Sequence, residues 1–389
     1  MRILYSHRTR AADGQYVHIA SLTNALARMG HEVLLCGPEG VARAGETPRP
    51  LETGIGPIGR LRKMPFGLYE VAELAYSLPA YWQLARAAEM FKPDVLYERY
   101  NLYYHAGEAL ARKRRLPYLL EVNAPLADER RANGELRLYP LARRSETRLW
   151  RRADAVLPVT AVLGQIIADA GADADHIHVI PNGVDADTLQ RVPPDAVRER
   201  YQLDGHHILG FVGFVREWHG VDRVIDWLAT SDGQAAILLV VGDGPAIPAL
   251  KAQAEKLGVS DRFIVTGVVQ RADIPGHVAA FDIALQPAVT AYASPLKLQE
   301  YMAQGRAIIA PDQPNIRETV TDGETALLVD PADPSALFTA LDRLCRDRQL
   351  REGLGRAAHQ RLLERNMTWE GNAQRVVDIA RTLIADAAS

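Results

Sequence analysis

Short apolar runs recur along the chain, each closed by a turn and followed by a segment with a helix-like repeat of apolar positions. RILYS (2–6), HEVLLCGP (31–38), DVLYER (94–99), PYLLEVN (117–123) and AVLPVT (155–160) have the length and composition of buried strands. Between the first two lie a polar loop, HRTRAADGQ (7–15), and YVHIASLTNALARMG (16–30), which has helical periodicity and ends on Gly30. This strand–loop–helix–strand opening predicts a doubly wound parallel sheet. A helix near 102–114, a long basic helix around 134–151, a helix after residue 160 and IHVIPNGVD (177–185) continue the alternation. The Pro- and Gly-rich stretch 45–67 predicts an irregular connection.

After residue 185 the pattern starts again. HILGFVGF (207–214), AILLVVGDGP (236–245), RFIVTGVV (262–269), FDIALQP (281–287) and ALLVDP (326–331) alternate with helical stretches. A chain of 389 residues is long for one domain. The expectation is two α/β units, 1–185 and 186–367, joined near 181–190.

One stretch of the second unit, SPLKLQEYMAQGRAIIAP (294–311), breaks the apolar pattern. Ser294 suits a helix N-cap, Pro295 the first turn and Gly305 the stop. Leu296, Leu298, Tyr301 and Met302 supply a buried side. Lys297 and Glu300, three residues apart, share a face. They read either as an exposed ion pair, worth under about 1 kcal/mol, or as groups that hold something charged and something hydroxylated.

Composition narrows the class. Hydrophobic content of 48% and charged content of 24% are those of a soluble globular protein. The net charge of −3 conceals an asymmetry: residues 1–185 carry 24 basic and 21 acidic side chains, the rest 21 and 27. Neither half has the basic excess of a nucleic-acid binder. Cys36 and Cys345 offer no metal spacing and no disulfide framework, so a reducing cytosol is expected. MRILYSHRTR lacks the pattern of a secretory leader, and AILLVV (236–241) is far too short to span a bilayer. The basic runs ARKRR (111–115) and RRSETRLWRR (143–152) are solvated helix faces or, in the sharper reading, a peripheral contact with anionic lipid at the inner face of a membrane, at about 1 kcal/mol per basic residue near the surface.

The first strand–helix turn has only Gly14 in place of a three-glycine fingerprint, which argues against a nicotinamide dehydrogenase. A P-loop lysine motif, His-Glu-x-x-His and Gly-x-Ser-x-Gly are absent too. Paired parallel-sheet units bind ligands where their strand ends face each other. Four loops of the second unit stand at such ends: GFVREWHG (213–220), GDGP (242–245), GVVQ (267–270) and the 294–311 stretch. A nucleoside diphosphate fits that set. Arg216 and Lys297 would neutralise phosphate, helix-start N–H groups favour anions, and Glu300 would accept hydrogen bonds from ribose hydroxyls.

FVGFVREWHG, VVGDGP, SPLKLQEYMAQGRAIIAP and VIPNGVD, in that spacing, resemble the family-4 glycosyltransferases of the two-domain GT-B fold. ADGQYVHIASLTNALARMGHEV, PDVLYERYN and EVNAPL extend the resemblance, more loosely, into the first half. It implies two Rossmann-like doubly wound domains facing each other across a cleft. A nucleotide-sugar would sit on the second domain and the acceptor on the first, with a helix from about 368 packing back on the first. By resemblance, Glu300 binds ribose, and Lys297, Arg216 and N–H groups around Ser294, Pro295 and Leu296 bind the diphosphate. Gly14, Gly213 and Gly242 allow close approach, Val268 and Val269 line the base, and Asn182 and Gly183 mark the connection.

Departures from the family pattern are visible. The first of two glutamates usual in the family is Tyr292 here, the usual loop lysine is His219, and Phe214 replaces an arginine, with Arg216 as a stand-in. A histidine common in the first domain corresponds to Asn123. Glu121, Asn123, Glu98 and Arg99 are therefore candidates to contact acceptor or transferred sugar. Alternatives stay open for several positions. His219 and Gly14 also read as turn residues, Asn123 as a cap before Pro125, and Glu98–Arg99 as a buried pair. His18 and the tyrosines 97, 100, 103 and 104 read as core.

The expected protein is a retaining, metal-independent glycosyltransferase that takes a UDP- or GDP-sugar and serves polysaccharide, glycolipid or lipid-linked glycan synthesis. Asp-x-Asp occurs at 173–175 and 185–187; that no catalytic metal is needed is what the resemblance implies. A GT-B epimerase and an inactive nucleotide-binding subunit are the alternatives.

Overall fold

The computed structural model describes residues 1–9, 14–45 and 67–388; the stretch 46–66 and the loop residues 10–13 lie outside them. The chain divides into two compact units, Met1–Pro181 with Trp369–Ser389, and Asn182–Thr368.

In the first unit, β1 (Arg2–Ser6), β2 (Glu32–Gly37), β3 (Gly40–Arg43), β4 (Val95–Arg99), β5 (Tyr118–Val122) and β6 (Ala155–Pro158) form one sheet, in the order β3-β2-β1-β4-β5-β6. Every pair is parallel except β2–β3. The strands β4, β5 and β6 are buried at every position, which is why they read as continuous apolar runs. The helix Gly14–Arg28 carries the closing helix Trp369–Ala388. The Trp369 ring centre is 4.7 Å from that of His18, and the Asn372 side-chain amide donates to the Pro181 carbonyl at 2.6 Å.

Four local expectations need correction. The antiparallel edge strand β3 was not foreseen, because GVAR alternates half-buried and exposed positions without an apolar run. The helices Leu68–Ala75 and Ser77–Phe91 precede β4. The basic helix expected around 134–151 is Tyr139–Arg152, and a further short helix, Leu126–Ala132, precedes it, with Gly134 between them at φ +69°. The segment 177–185 makes two isolated bridges, Ile177 to Val156 and Val184 to Thr368, rather than a strand.

In the second unit, β7 (His207–Val212), β8 (Ala236–Val241), β9 (Phe263–Val265), β10 (Ile283–Leu285), β11 (Ala307–Pro311) and β12 (Leu327–Val329) are all parallel, in the order β12-β11-β10-β7-β8-β9. Apolar cores cover both faces, one around Trp227 and Leu341, the other around Phe281 and Tyr301. Gly210 in β7 is fixed by this packing: a Cβ there would fall 2.0 Å from the Phe281 ring. A parallel sheet gathers its carboxyl ends on one edge, and the loops after β7, β8 and β9 leave from that edge.

Candidate functional site

The second unit builds its site from backbone contact outward. Gly213 and Gly242 end β7 and β8 with φ of +127° and +141°, values open to glycine. The Gly213 N–H donates to the Val241 carbonyl at 2.9 Å. A Cβ on Gly242 would stand 2.2 Å from the Gly213 oxygen. Val215 N–H donates to the Asp243 carbonyl at 2.8 Å, so the two loops lie against each other.

Lys297 crosses this floor. A Cβ on Gly213 would lie 3.7 Å from its Cε, and its ammonium stands 3.8 Å from the Phe211 ring centre. Burial brings its pKa down to about 7 against the opposing charge of Glu300. Glu300, one turn on, is pushed up to about 7 by burial, against Arg271 and Lys297. Among the described residues neither side chain makes an ion pair, so the surface-pair reading of Lys297 and Glu300 fails. Glu300 instead lines a pocket with Gly183, Asp185, Arg271, Ile274 and Leu296, where Arg271 pairs with Asp185 at 2.6 Å.

His219 is both packed and placed. Its ring lies 5.2 Å from Phe211 and 3.9 Å from Trp218, centre to centre. Its Nδ1 accepts from the Arg216 N–H at 2.9 Å. Burial, then the Lys297 charge, lowers its pKa to about 3. The ring is neutral at physiological pH, and with Nδ1 accepting, Nε2 carries the proton and donates. Arg216 itself is exposed, its guanidinium 5.2 Å from the Phe214 ring centre. The two valines part: Val268 is 84% exposed, whereas Val269 is half-buried and packs against the core.

The helix expected at 294 begins later. It spans Leu296–Ala303, with Pro295 as the preceding extended residue (φ −71°, ψ 117°). Ser294 does not cap it. Its hydroxyl accepts from the Asn182 N–H at 3.2 Å, and the Asn182 amide donates to the Ser294 carbonyl at 2.6 Å. Gly305 ends the helix region with φ +62°, as its position suggests.

Two of the first unit's buried carboxylates, Glu98 and Glu121, lie on opposite faces of its sheet. Glu98 accepts from the Tyr118 hydroxyl at 2.6 Å and the Ser6 hydroxyl at 3.0 Å. The helix Ala106–Arg114 starts directly over it; a Cβ on Gly107 would meet its carboxylate at 2.1 Å. Burial raises its pKa to about 7. Glu98 is thus sealed from any substrate, and its candidacy as a reacting group is withdrawn. It is not paired with Arg99 either, because adjacent strand residues face opposite ways.

Arg99 pairs instead with Glu121, opposite it on β5. Glu121 also accepts from Tyr97 at 2.9 Å, Tyr5 at 3.2 Å, the Asn123 amide, and His18 Nε2 at 3.2 Å. Burial acts to raise its pKa, but the His18 and Arg99 charges outweigh that and hold it well below the usual carboxylate range. With its amide nitrogen bound to Glu121, Asn123 is left with its carbonyl oxygen as the free acceptor. His18 was read as packing; the ring does pack, and its hydrogen bond to a residue 103 positions on left no mark in the sequence. Gly14 is the first residue of the helix Gly14–Arg28, and the loop before it lies outside the described residues.

Two family profiles match the chain: Glycosyltransferase Family 4 over residues 12–188, and Glycosyl transferases group 1 over 206–347. A D-inositol 3-phosphate glycosyltransferase of Xylanimonas cellulosilytica is 29% identical, over 95% of this chain and 92% of its own. A 2-deoxystreptamine glucosyltransferase of Streptomyces kanamyceticus is 28% identical, over 85% and 89%. Among solved structures, sucrose-phosphate synthase of Thermosynechococcus elongatus superposes with a TM-score of 0.78 at 19% identity, over 99% of this chain and 100% of that one. Anabaena HepE in complex with UDP gives 0.75 at 18%, over 98% and 100%.

Proposed function

The chain belongs to the family-4 glycosyltransferases of GT-B fold, and from that premise we propose that it moves a sugar from a UDP- or GDP-sugar to a hydroxyl of a glycan or lipid-linked acceptor, with retention and without a metal. The observation that carries this reading is the unpaired Lys297 ammonium lying over Gly213, with Glu300 one turn away on the same helix. A cation kept from any carboxylate suits an anion that arrives from outside.

The diphosphate is assigned to Lys297, Arg216, the His219 Nε2–H and the N–H groups that open the helix Leu296–Ala303. Glu300 accepts from the ribose hydroxyls, and Val268 offers the apolar surface to the base. When the bond from the sugar C1 to the leaving phosphate oxygen breaks, the sugar becomes oxocarbenium-like and the diphosphate gains charge. The acceptor hydroxyl attacks C1 from the face the diphosphate leaves and passes its proton to that phosphate oxygen. The Asn123 carbonyl, oriented by Glu121, is assigned to a hydroxyl of the acceptor or of the transferred sugar.

Calorimetry on Glu300→Ala and Lys297→Ala tests the site. Both variants should bind nucleoside diphosphate more weakly; unchanged affinity in both rejects the assignment. Peripheral membrane contact is assigned to Arg112, Lys113, Arg114 and Arg115, all exposed at the end of one helix. The neighbouring Arg148 and Arg152 are engaged with Glu108. No helix among the described residues is long and apolar enough to cross a membrane. Co-sedimentation with phosphatidylglycerol vesicles, absent with phosphatidylcholine, is the expected result.

A further inference from the structure

The loop that leads into the helix Leu296–Ala303 is held by four side-chain amides of the second unit, Gln286 and Gln299 from close by in the chain and Asn182 and Asn315 from further off. Gln286 donates to the Ala288 carbonyl at 2.5 Å. Asn315 donates to Thr290 at 3.1 Å and to Ala293 at 2.8 Å. Asn182 donates to Ser294 at 2.6 Å. Gln299, with its amide nitrogen turned to the helix start, donates to Pro295 at 2.6 Å and Leu296 at 3.1 Å. Six of the nine carbonyls from Ala288 to Leu296 are thereby engaged.

These amides are buried, Gln286, Gln299 and Asn315 at 1% exposure and Asn182 at 9%. In three of them the other half of the group is orphaned: Asn182 Oδ1, Gln286 Oε1 and Asn315 Oδ1 find no donor among the described residues. A buried acceptor without a donor is costly. Three such groups around one loop indicate that each residue is there for its NH2 alone.

We propose that Asn182, Gln286, Gln299 and Asn315 are positioning residues that turn the carbonyl oxygens of the 288–296 loop inward, so that the loop presents N–H groups to the diphosphate of the donor. A carbonyl facing a pyrophosphate repels it, and an N–H attracts it, so fixing the peptide planes decides whether the loop binds or rejects the anion. None of the four touches the ligand. The unpaired Lys297 stands at the end of the same loop, which makes backbone and side chain one anion site. The proposal rests on the reading that this loop receives the diphosphate.

The test compares wild type with Asn315→Asp and Gln286→Glu, which keep the shape and replace the donor by an acceptor. Gln286→Met, which removes the donor and the orphaned oxygen together, guards against misfolding caused by buried charge. UDP, GDP, uridine and guanosine are titrated calorimetrically into each. The expected result is diphosphate binding about tenfold weaker or more, with nucleoside binding within about twofold of wild type and the donor KM raised more than kcat falls. Diphosphate affinity within about twofold of wild type in the variants that melt normally overturns the proposal. A wild type that binds UDP and GDP no better than the bare nucleosides overturns the underlying reading instead.

Discussion

The Lys297 ammonium stands 3.8 Å from the centre of the Phe211 ring, and no carboxylate among the described residues pairs with it. The aromatic face supplies partial compensation for a cation held out of water. Burial brings the ammonium's pKa down to about 7. A bound dianion would favour the ammonium form, so binding should be linked to proton uptake. Affinity for nucleoside diphosphate should fall as pH rises from about 7 toward 9. Calorimetry at pH 8 in two buffers of different ionisation enthalpy should show uptake approaching one proton. Lys297→Arg should remove the alkaline fall; equal pH profiles for the two proteins would sink the assignment.

The same shift has a stability side. The folded pKa of Lys297 lies below the value of an unfolded lysine, so the unfolded chain holds that proton more tightly between about pH 7 and ~10.4. Lys297→Met removes a charge the ligand-free fold resists. It should melt a few degrees higher than wild type at pH 7 while losing diphosphate binding. A lower melting temperature would show that the ammonium stabilises the free protein.

Glu300 should discriminate sugars with both hydroxyls from those without. Wild type should prefer a nucleoside diphosphate over its 2′,3′-dideoxy form by about tenfold or more, as for a hydrogen bond to a charged group. Glu300→Ala should bind the two alike. A preference that survives the substitution places the ribose elsewhere.

Glu121 should behave as an anchor of the first unit. Glu121→Gln leaves Arg99 buried without its counter-charge, a loss of about 3–5 kcal/mol. Because its folded pKa is depressed, its contribution is complete above the unfolded value of ~4.3 and disappears as pH falls below that. Chemical unfolding followed by Trp150 fluorescence should report the loss in the first unit. An unaltered midpoint would show the cluster to be energetically idle.

Turnover should survive a chelator, since Lys297, Arg216 and backbone amides are assigned the charge of the leaving diphosphate. Activity lost with chelator and restored by magnesium would overturn that part of the proposal.

The alternation of strands and helices was legible because buried parallel strands such as AILLVV are apolar throughout and stop at glycine. The edge strand β3 was not, because an edge needs no apolar run. Lys297 and Glu300 stood out by contrast with their greasy neighbours; the structure lays Lys297 against Gly213 and Phe211 and sets Glu300 in the lining of a pocket. Ser294 misled, because a serine before a proline looks like a cap whether its hydroxyl turns forward or, as here, accepts from an amide 112 residues back. Glu98 misled for a related reason: sequence shows a carboxylate at a strand end but not the helix that lands on it. Of the amides on the 288–296 loop, Gln286 and Gln299 flank it, but Asn182 and Asn315 arrive from a separation no local pattern reveals.

The helix Trp369–Ala388 belongs to the unit that contains the other terminus of the chain. During synthesis, residues 182–368 emerge and are free to fold before that helix exists. The earlier unit must meanwhile wait with the His18 side of its first helix uncovered, a target for chaperones and proteases. Shortening the chain by its last twenty residues should therefore harm the part of the protein made first.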